Sequence, residues 1–267
     1  MRQFSPPHLA ALAVVVAASA ASVWAARRNR DMTLYCRLLA LLIFAAWAGE
    51  YAADAINGTY TAKYTLPLQL TDIISLTAVV ALWTRKRLAV ELLYFWSLSA
   101  SLQALLTPDL GENFPSIYYF TYFVYHIGAV VAALMLVFGL RIYPRPRAAV
   151  KVFVITLAWA AVAGIGDVVT RGNYMYLRDK PIHGSLLNVM GPWPWYIVTT
   201  AALALAMLLV LQVIADQIRR HDPLADPLSA GMSSTPAAWR TYAGTPSERR
   251  APSARTPWFR HRGSAGS

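Results

Sequence analysis

Thr71, Asp72 and His126 supply a hydroxyl, a carboxylate and an imidazole within a chain of 267 residues. A hydroxyl attacks an acyl carbon when a base takes its proton and a third group holds that base in place. Thr71 and Asp72 are adjacent, so on a helix their side chains diverge by about 100° and flank one inward wedge. Gln69 and Gln103 carry amides able to donate to a developing oxyanion. Tyr122 stands one helical turn before His126, and Asp167 adds a further carboxylate. The expected catalytic roles are Thr71 as nucleophile, His126 as base and Asp72 as orienting or electrostatic partner. Gln69, Gln103, Tyr122 and Asp167 are expected to line a substrate pocket.

These residues lie in a chain that is 57% hydrophobic and only 14% charged. Long apolar runs alternate with short basic clusters, which is the pattern of a multi-pass membrane protein. The expected fold is all-α, a polytopic bundle of seven transmembrane helices. The spans cover about residues 8–26, 34–54, 65–84, 88–106, 116–140, 152–169 and 194–215. Lengths near twenty residues match a hydrocarbon core of about 30 Å. The first span has only Arg2 before it and its arginines after it, so it reads as a retained helix, not a cleaved signal.

Counting Lys and Arg sets the expected orientation. One set of short loops carries ten of them and the other carries five, which puts the N-terminus outside and the C-terminus in the cytoplasm. The membrane domain is read as residues 1–218 and a disordered, basic cytoplasmic tail as 219–267, where Pro, Ser, Gly, Ala and Arg dominate. The net charge of +11 follows from these loops and the tail. Membrane lipids are therefore the expected partners and nucleic acid is not. The lone Cys36 cannot form an internal disulfide. Span seven has no Lys for a retinal Schiff base, and no helix pairs His with carboxylate at ligand spacing, so no cofactor or metal is expected.

With that orientation, polar residues from five spans gather in the outer half of the membrane, where lipid-facing placement is costly. Glu50 and Asp54 lie close enough to the surface to be read as hydrated. For Asp72 and His126 two readings stand: a functional pocket, or hydrogen bonds that hold neighbouring helices together. The loop from Asn173 to Trp193 is read either as a lid over the outer pocket or as an aromatic belt at a helix start.

Several stretches resemble the bacterial YwaF-type integral membrane family: Leu66-Pro-Leu-Gln-Leu-Thr71, Gln103-Ala-Leu-Leu-Thr-Pro-Asp109, the Tyr119-to-His126 run, Asn173-Tyr-Met-Tyr-Leu177 and Gly191-Pro-Trp-Pro-Trp-Tyr196. That family is similar to the eukaryotic transmembrane protein 164 family. The resemblance implies acyl transfer to phospholipids with a Cys and a His, or, in more distant membrane hydrolases of fatty-acid esters, a Thr and a His. Here Gln69 stands where many bacterial members have His, and Thr71 where they have Cys; His126 matches the span-five His. A Thr hydroxyl is far less ionised than a thiol and depends more on its base. The expected function is a lipid acyltransferase or acyl-ester hydrolase in the cell membrane. The competing class is a non-enzymatic lipid- or solute-binding protein or a proton-coupled transporter, with Asp72, Asp167 and His126 titrating.

Overall fold

The computed structural model describes residues 3–29, 31–181 and 185–224. Seven apolar helices occupy the expected spans: α1 (Pro6–Arg28), α2 (Thr33–Asn57), α3 (Leu70–Thr84), α4 (Arg87–Leu106), α5 (Ile117–Gly139), α6 (Ala148–Thr170) and α7 (Trp195–His221). Among the described residues there is no strand. Six of the helices are long and apolar enough to cross a membrane, and α3 is shorter. The protein is an all-α, multi-pass membrane protein. Helix α7 runs to His221, past the expected domain edge at residue 218. From residue 225 onward the expected tail lies outside the described residues.

The expected start of span three at Thr65 is corrected. Pro67 lacks an N–H and drives the residue before it out of helical geometry. The helix therefore begins only at Leu70, with Gln69 as an extended N-cap at φ −67° and ψ 149°. Asp72 Oδ2 accepts from the Gln69 N–H at 3.0 Å, satisfying one of the donors that a helix start leaves open.

Helix α5 is the most buried of the six long helices and packs against α1, α2, α3 and α4. Its approach to α2 depends on Gly128, where a Cβ would come within 2.6 Å of Ile43 Cγ1. Helices α6 and α7 pair with each other and rest on α4. Their outward faces expose Val154, Leu157, Ile165, Val198, Val210 and Val213, as expected where lipid is the solvent. Two helices widen into π-helical segments, Ser97–Ser101 in α4 and Met135–Gly139 in α5.

The alternation of helix direction collects the basic loops at one end of the bundle. There the buried Glu91 of α4 receives Arg145 Nε at 2.8 Å, Arg145 Nη2 at 2.6 Å and the Arg145 N–H at 2.9 Å. A buried carboxylate needs such a set of donors, and this one fastens the α5–α6 loop to α4. Beside it, Asp222 Oδ2 accepts from Tyr143 Oη at 2.7 Å and Arg141 Nε at 3.0 Å.

Candidate functional site

At the far end of the bundle α2, α3 and α5 meet over a polar cluster. Asp72 Oδ1 accepts from Tyr51 Oη at 2.7 Å and Trp47 Nε1 at 3.1 Å, both on α2. With the bond from the Gln69 amide, its carboxylate has three donors, and none of them is His126. Asp72 thus fixes the start of α3 and ties it to α2. Glu50, expected to be hydrated, is half-buried and accepts from Thr121 Oγ1 of α5 at 3.4 Å, with the Tyr125 phenol directed at the same carboxylate. Asp54 Oδ1 accepts from Tyr118 Oη at 2.9 Å.

His126 is 1% exposed, nine residues into α5, with its ring between those of Tyr122 and Tyr125 at centroid distances of 4.2 and 4.4 Å. Its Nδ1 lies 2.8 Å from the Tyr122 carbonyl oxygen. A carbonyl can only accept, so Nδ1 carries the hydrogen and the Tyr122 carbonyl orients the ring, the role expected of Asp72. Nε2 is left as the lone-pair nitrogen, and it is buried with no hydrogen-bond partner among the described residues. His8 shows the contrast. It is equally buried, but its Nδ1 accepts from the Phe4 N–H and its Nε2 donates to the Leu105 carbonyl.

Thr71 shares one face of α3 with the buried Ser75 and Ala78, so it points inward. Ser75 is not a rival nucleophile, because its hydroxyl donates to the Thr71 carbonyl at 2.9 Å. Thr71 Oγ1 has no hydrogen bond among the described residues, and the structure does not join it to His126. A second hydroxyl was not singled out by sequence. Ser97 is fully buried in the π segment of α4 that packs on α5, and its Oγ also lacks a partner. The bond from Tyr122 Oη to the Ala104 carbonyl at 2.8 Å pins α5 and α4 together above it. Counting down from that tie, Ser97 lies about 10 Å below Ala104 and His126 about 6 Å below Tyr122. The tyrosine ring reaches back toward the helix start, so the Ser97 and His126 backbones lie within about one helical turn of each other in depth. Only the hydrogen bonding of the π segment reveals Ser97; its Ser-Leu-Ser-Ala-Ser sequence reads as ordinary helix.

The other expected pocket residues divide. Gln103 turns onto its own helix end, Nε2 donating to Thr107 Oγ1 at 2.9 Å. Gln69 Oε1 accepts from the Met175 N–H at 2.8 Å, and its Nε2 has no partner among the described residues. Asp167 Oδ1 accepts from the Tyr174 N–H at 2.6 Å, while its Oδ2 is buried without a partner. The last two contacts belong to the loop that follows α6. Tyr174 Oη donates to the Ala62 carbonyl and accepts from the Leu66 N–H, and Tyr176 Oη donates to Asp109 at 2.6 Å. Burial and the Asp109 carboxylate push the Tyr176 phenol above its ordinary value, so it stays protonated as a donor. Tyr196 and Trp193 bond the Tyr176 and Leu177 carbonyls. The loop therefore reaches the segment before α3, the α4–α5 connection and the start of α7. Met175 and Tyr176 sit in succession at φ 54° and 55°, a left-handed conformation that side chains disfavour.

A helical membrane bundle with a buried, pre-oriented imidazole beneath a polar cluster and a clamped loop defines the class of protein. A model of the TMEM164 family matches residues 3–212, and the chain belongs to that family. No curated protein and no solved structure matches it.

Proposed function

We propose that this protein transfers or hydrolyses acyl groups of membrane lipids, with His126 as general base and Thr71 as nucleophile. The observation that carries the reading is His126 itself, its Nδ1–H fixed by a carbonyl and its Nε2 left as a buried lone pair without a partner among the described residues. An unpartnered buried acceptor costs about 1–3 kcal/mol, and a base that waits for a substrate proton accounts for that cost. In the first step Thr71 Oγ1 attacks the ester carbonyl carbon as its proton passes to Nε2. The tetrahedral intermediate collapses, the alcohol leaves with the proton from His126, and the acyl group stays as a threonine ester. Water or a second lipid hydroxyl then takes the acyl group by the reverse proton path, which gives hydrolysis or transfer. The free Gln69 Nε2 is the amide available to the oxyanion, and Asp72 positions the helix start that carries Thr71. Tyr122 walls the imidazole, and Asp167 holds the loop above.

Labelling with an acyl-directed activity probe in membranes tests this. His126→Ala and Thr71→Ala are expected to lower labelling by about 100-fold or more, the ordinary scale of a lost base or nucleophile. Equal labelling in the wild type and both variants overturns the assignment. Loss in Ser97→Ala with retention in Thr71→Ala moves the nucleophile to α4. The carrier alternative uses Asp72, Asp167 and His126 as titrating groups. It is less favoured, because Asp72 commits both oxygens to three donors.

A further inference from the structure

At the basic end, well away from His126, α1 and α5 close on each other at Ala26 and Gly139, where an added Cβ would meet Ala26 Cβ at 2.7 Å. Beside this contact the helices part into an open groove of about 410 Å³, lined by Ser19, Val23, Trp24 and Arg27 of α1 and by Leu134 and Phe138 of α5.

Two polar groups in the groove have uncommitted hydrogen-bonding capacity among the described residues, as Ser97 does in α4. Thr84, Ser99, Thr156 and Thr170 each donate back to the carbonyl four residues earlier, the usual fate of a hydroxyl inside a helix. Ser19 does not. It is only 8% exposed, and its Oγ is buried in the groove wall with no partner among the described residues. Arg27 is the second. Its Nε donates to the Phe138 carbonyl at 3.0 Å, which fixes the guanidinium against the wall and leaves its other N–H groups uncommitted. Arg141 and Arg145 are paired with Asp222 and Glu91, whereas Arg27 has no carboxylate partner among the described residues. The neighbouring Arg28 lies over the Trp24 ring at 4.1 Å and adds positive charge at the same mouth.

We infer that this groove is a binding site for one anionic glycerophospholipid. The phosphate sits on the free edge of Arg27, where a planar fork of donors suits its oxygens. One acyl chain lies along Val23, Trp24, Leu134 and Phe138. Ser19 and Arg27 are separated by about 12 Å of helix backbone, and the long arginine leans back toward the helix start, shortening the gap. Val23 and Trp24 lie between Arg27 and the deeper Ser19, so with the phosphate on Arg27 the acyl chain runs over this apolar wall toward Ser19 at the groove's inner end. The two arginines at the mouth favour net negative charge over a zwitterionic head. The site is separate from the acyl chemistry proposed above and does not depend on it.

The test is native mass spectrometry of the full-length protein released from bilayer discs of equal phosphatidylglycerol and phosphatidylcholine. The wild type is expected to retain one phosphatidylglycerol in preference to phosphatidylcholine. Arg27→Gln, at an exposed position, is expected to lower that preference about tenfold, the scale of one charge-assisted contact. Ser19→Leu, which fills the groove, is expected to lose the retained lipid of either kind. Arg220→Gln, at an exposed arginine of α7 outside the groove, should change nothing. Retention of phosphatidylcholine as readily as phosphatidylglycerol by the wild type, or equal effects of Arg27→Gln and Arg220→Gln, overturns the proposal.

Discussion

One backbone carbonyl sets the chemical state of both nitrogens of His126. The Tyr122 oxygen requires a hydrogen on Nδ1, and Nε2 therefore points into the core as a lone pair. A catalytic and a structural histidine respond differently to an apolar replacement of similar shape. His126→Phe removes the orphaned acceptor and keeps the ring stack with Tyr122 and Tyr125. Its melting temperature is expected to equal or exceed that of the wild type while probe labelling is lost; a thermal melt beside the labelling assay checks both. His8→Phe should do the reverse, because its two satisfied bonds hold Phe4 and Leu105 in place. Asp72 lies between these cases. Asp72→Ala removes the cap of α3 and strands two partly buried donors, at about 1 kcal/mol for the cap and up to about 1 kcal/mol for each donor. Asp72→Asn keeps a carbonyl acceptor and should lose roughly half as much in a denaturation series.

At the scale of helices and loops, the π segment of α4 and the left-handed pair in the α6–α7 loop set the geometry around the site. Met175 holds φ 54° while its N–H serves Gln69, so the strain is sustained by hydrogen bonds from several elements. Met175→Gly is expected to stabilise the protein by up to about 1 kcal/mol, since glycine adopts this conformation without the steric cost, and a chemical melt measures it. Much of this level was legible in the sequence. Seven apolar runs announced seven helices because hydropathy accumulates over twenty residues and tolerates local exceptions. The start of α3 was misplaced because Thr65 and Leu66 continue the apolar run, although Pro67 and the Gln69–Asp72 spacing carry the cap signal. The site was legible as a set and not as a network. Sequence gathers Glu50, Asp72 and His126 toward one end of the bundle, but helical phase alone does not say which neighbour a face meets. Hence sequence pairs Asp72 with His126, whereas its partners are Trp47 and Tyr51. Nothing in the residues around Ser97 marks the π turn.

For the whole molecule, charge placement makes the basic end the side expected to face the cytoplasm. The only cysteine, Cys36, is buried, so single introduced cysteines report cleanly. A thiol at Ser5 is expected to react with an impermeant maleimide in intact cells, and one at Arg220 only after permeabilisation. At this same end Asp222 joins the end of α7 to the α5–α6 loop. Burial raises its carboxyl, but Tyr143, the Leu224 amide and Arg141 outweigh that and hold it below the usual range. Its stabilisation is therefore full at neutral pH and fades as pH falls through the lowered value. The difference in melting temperature between wild type and Asp222→Asn should be largest near pH 7 and close in acid. A last consequence concerns the bilayer itself. Helix α3 has 15 residues, about 22 Å of rise against a hydrocarbon slab of about 30 Å. Its missing length is made up by coil that carries Pro67 and Gln69 and is tied to the loop after α6. The lipid beside α3 is expected to thin toward this shorter helix. A phospholipid next to α3 would thus have its ester bonds drawn down toward Thr71, and the proposed acyl activity is expected to rise in short-chain bilayers and fall in long-chain ones.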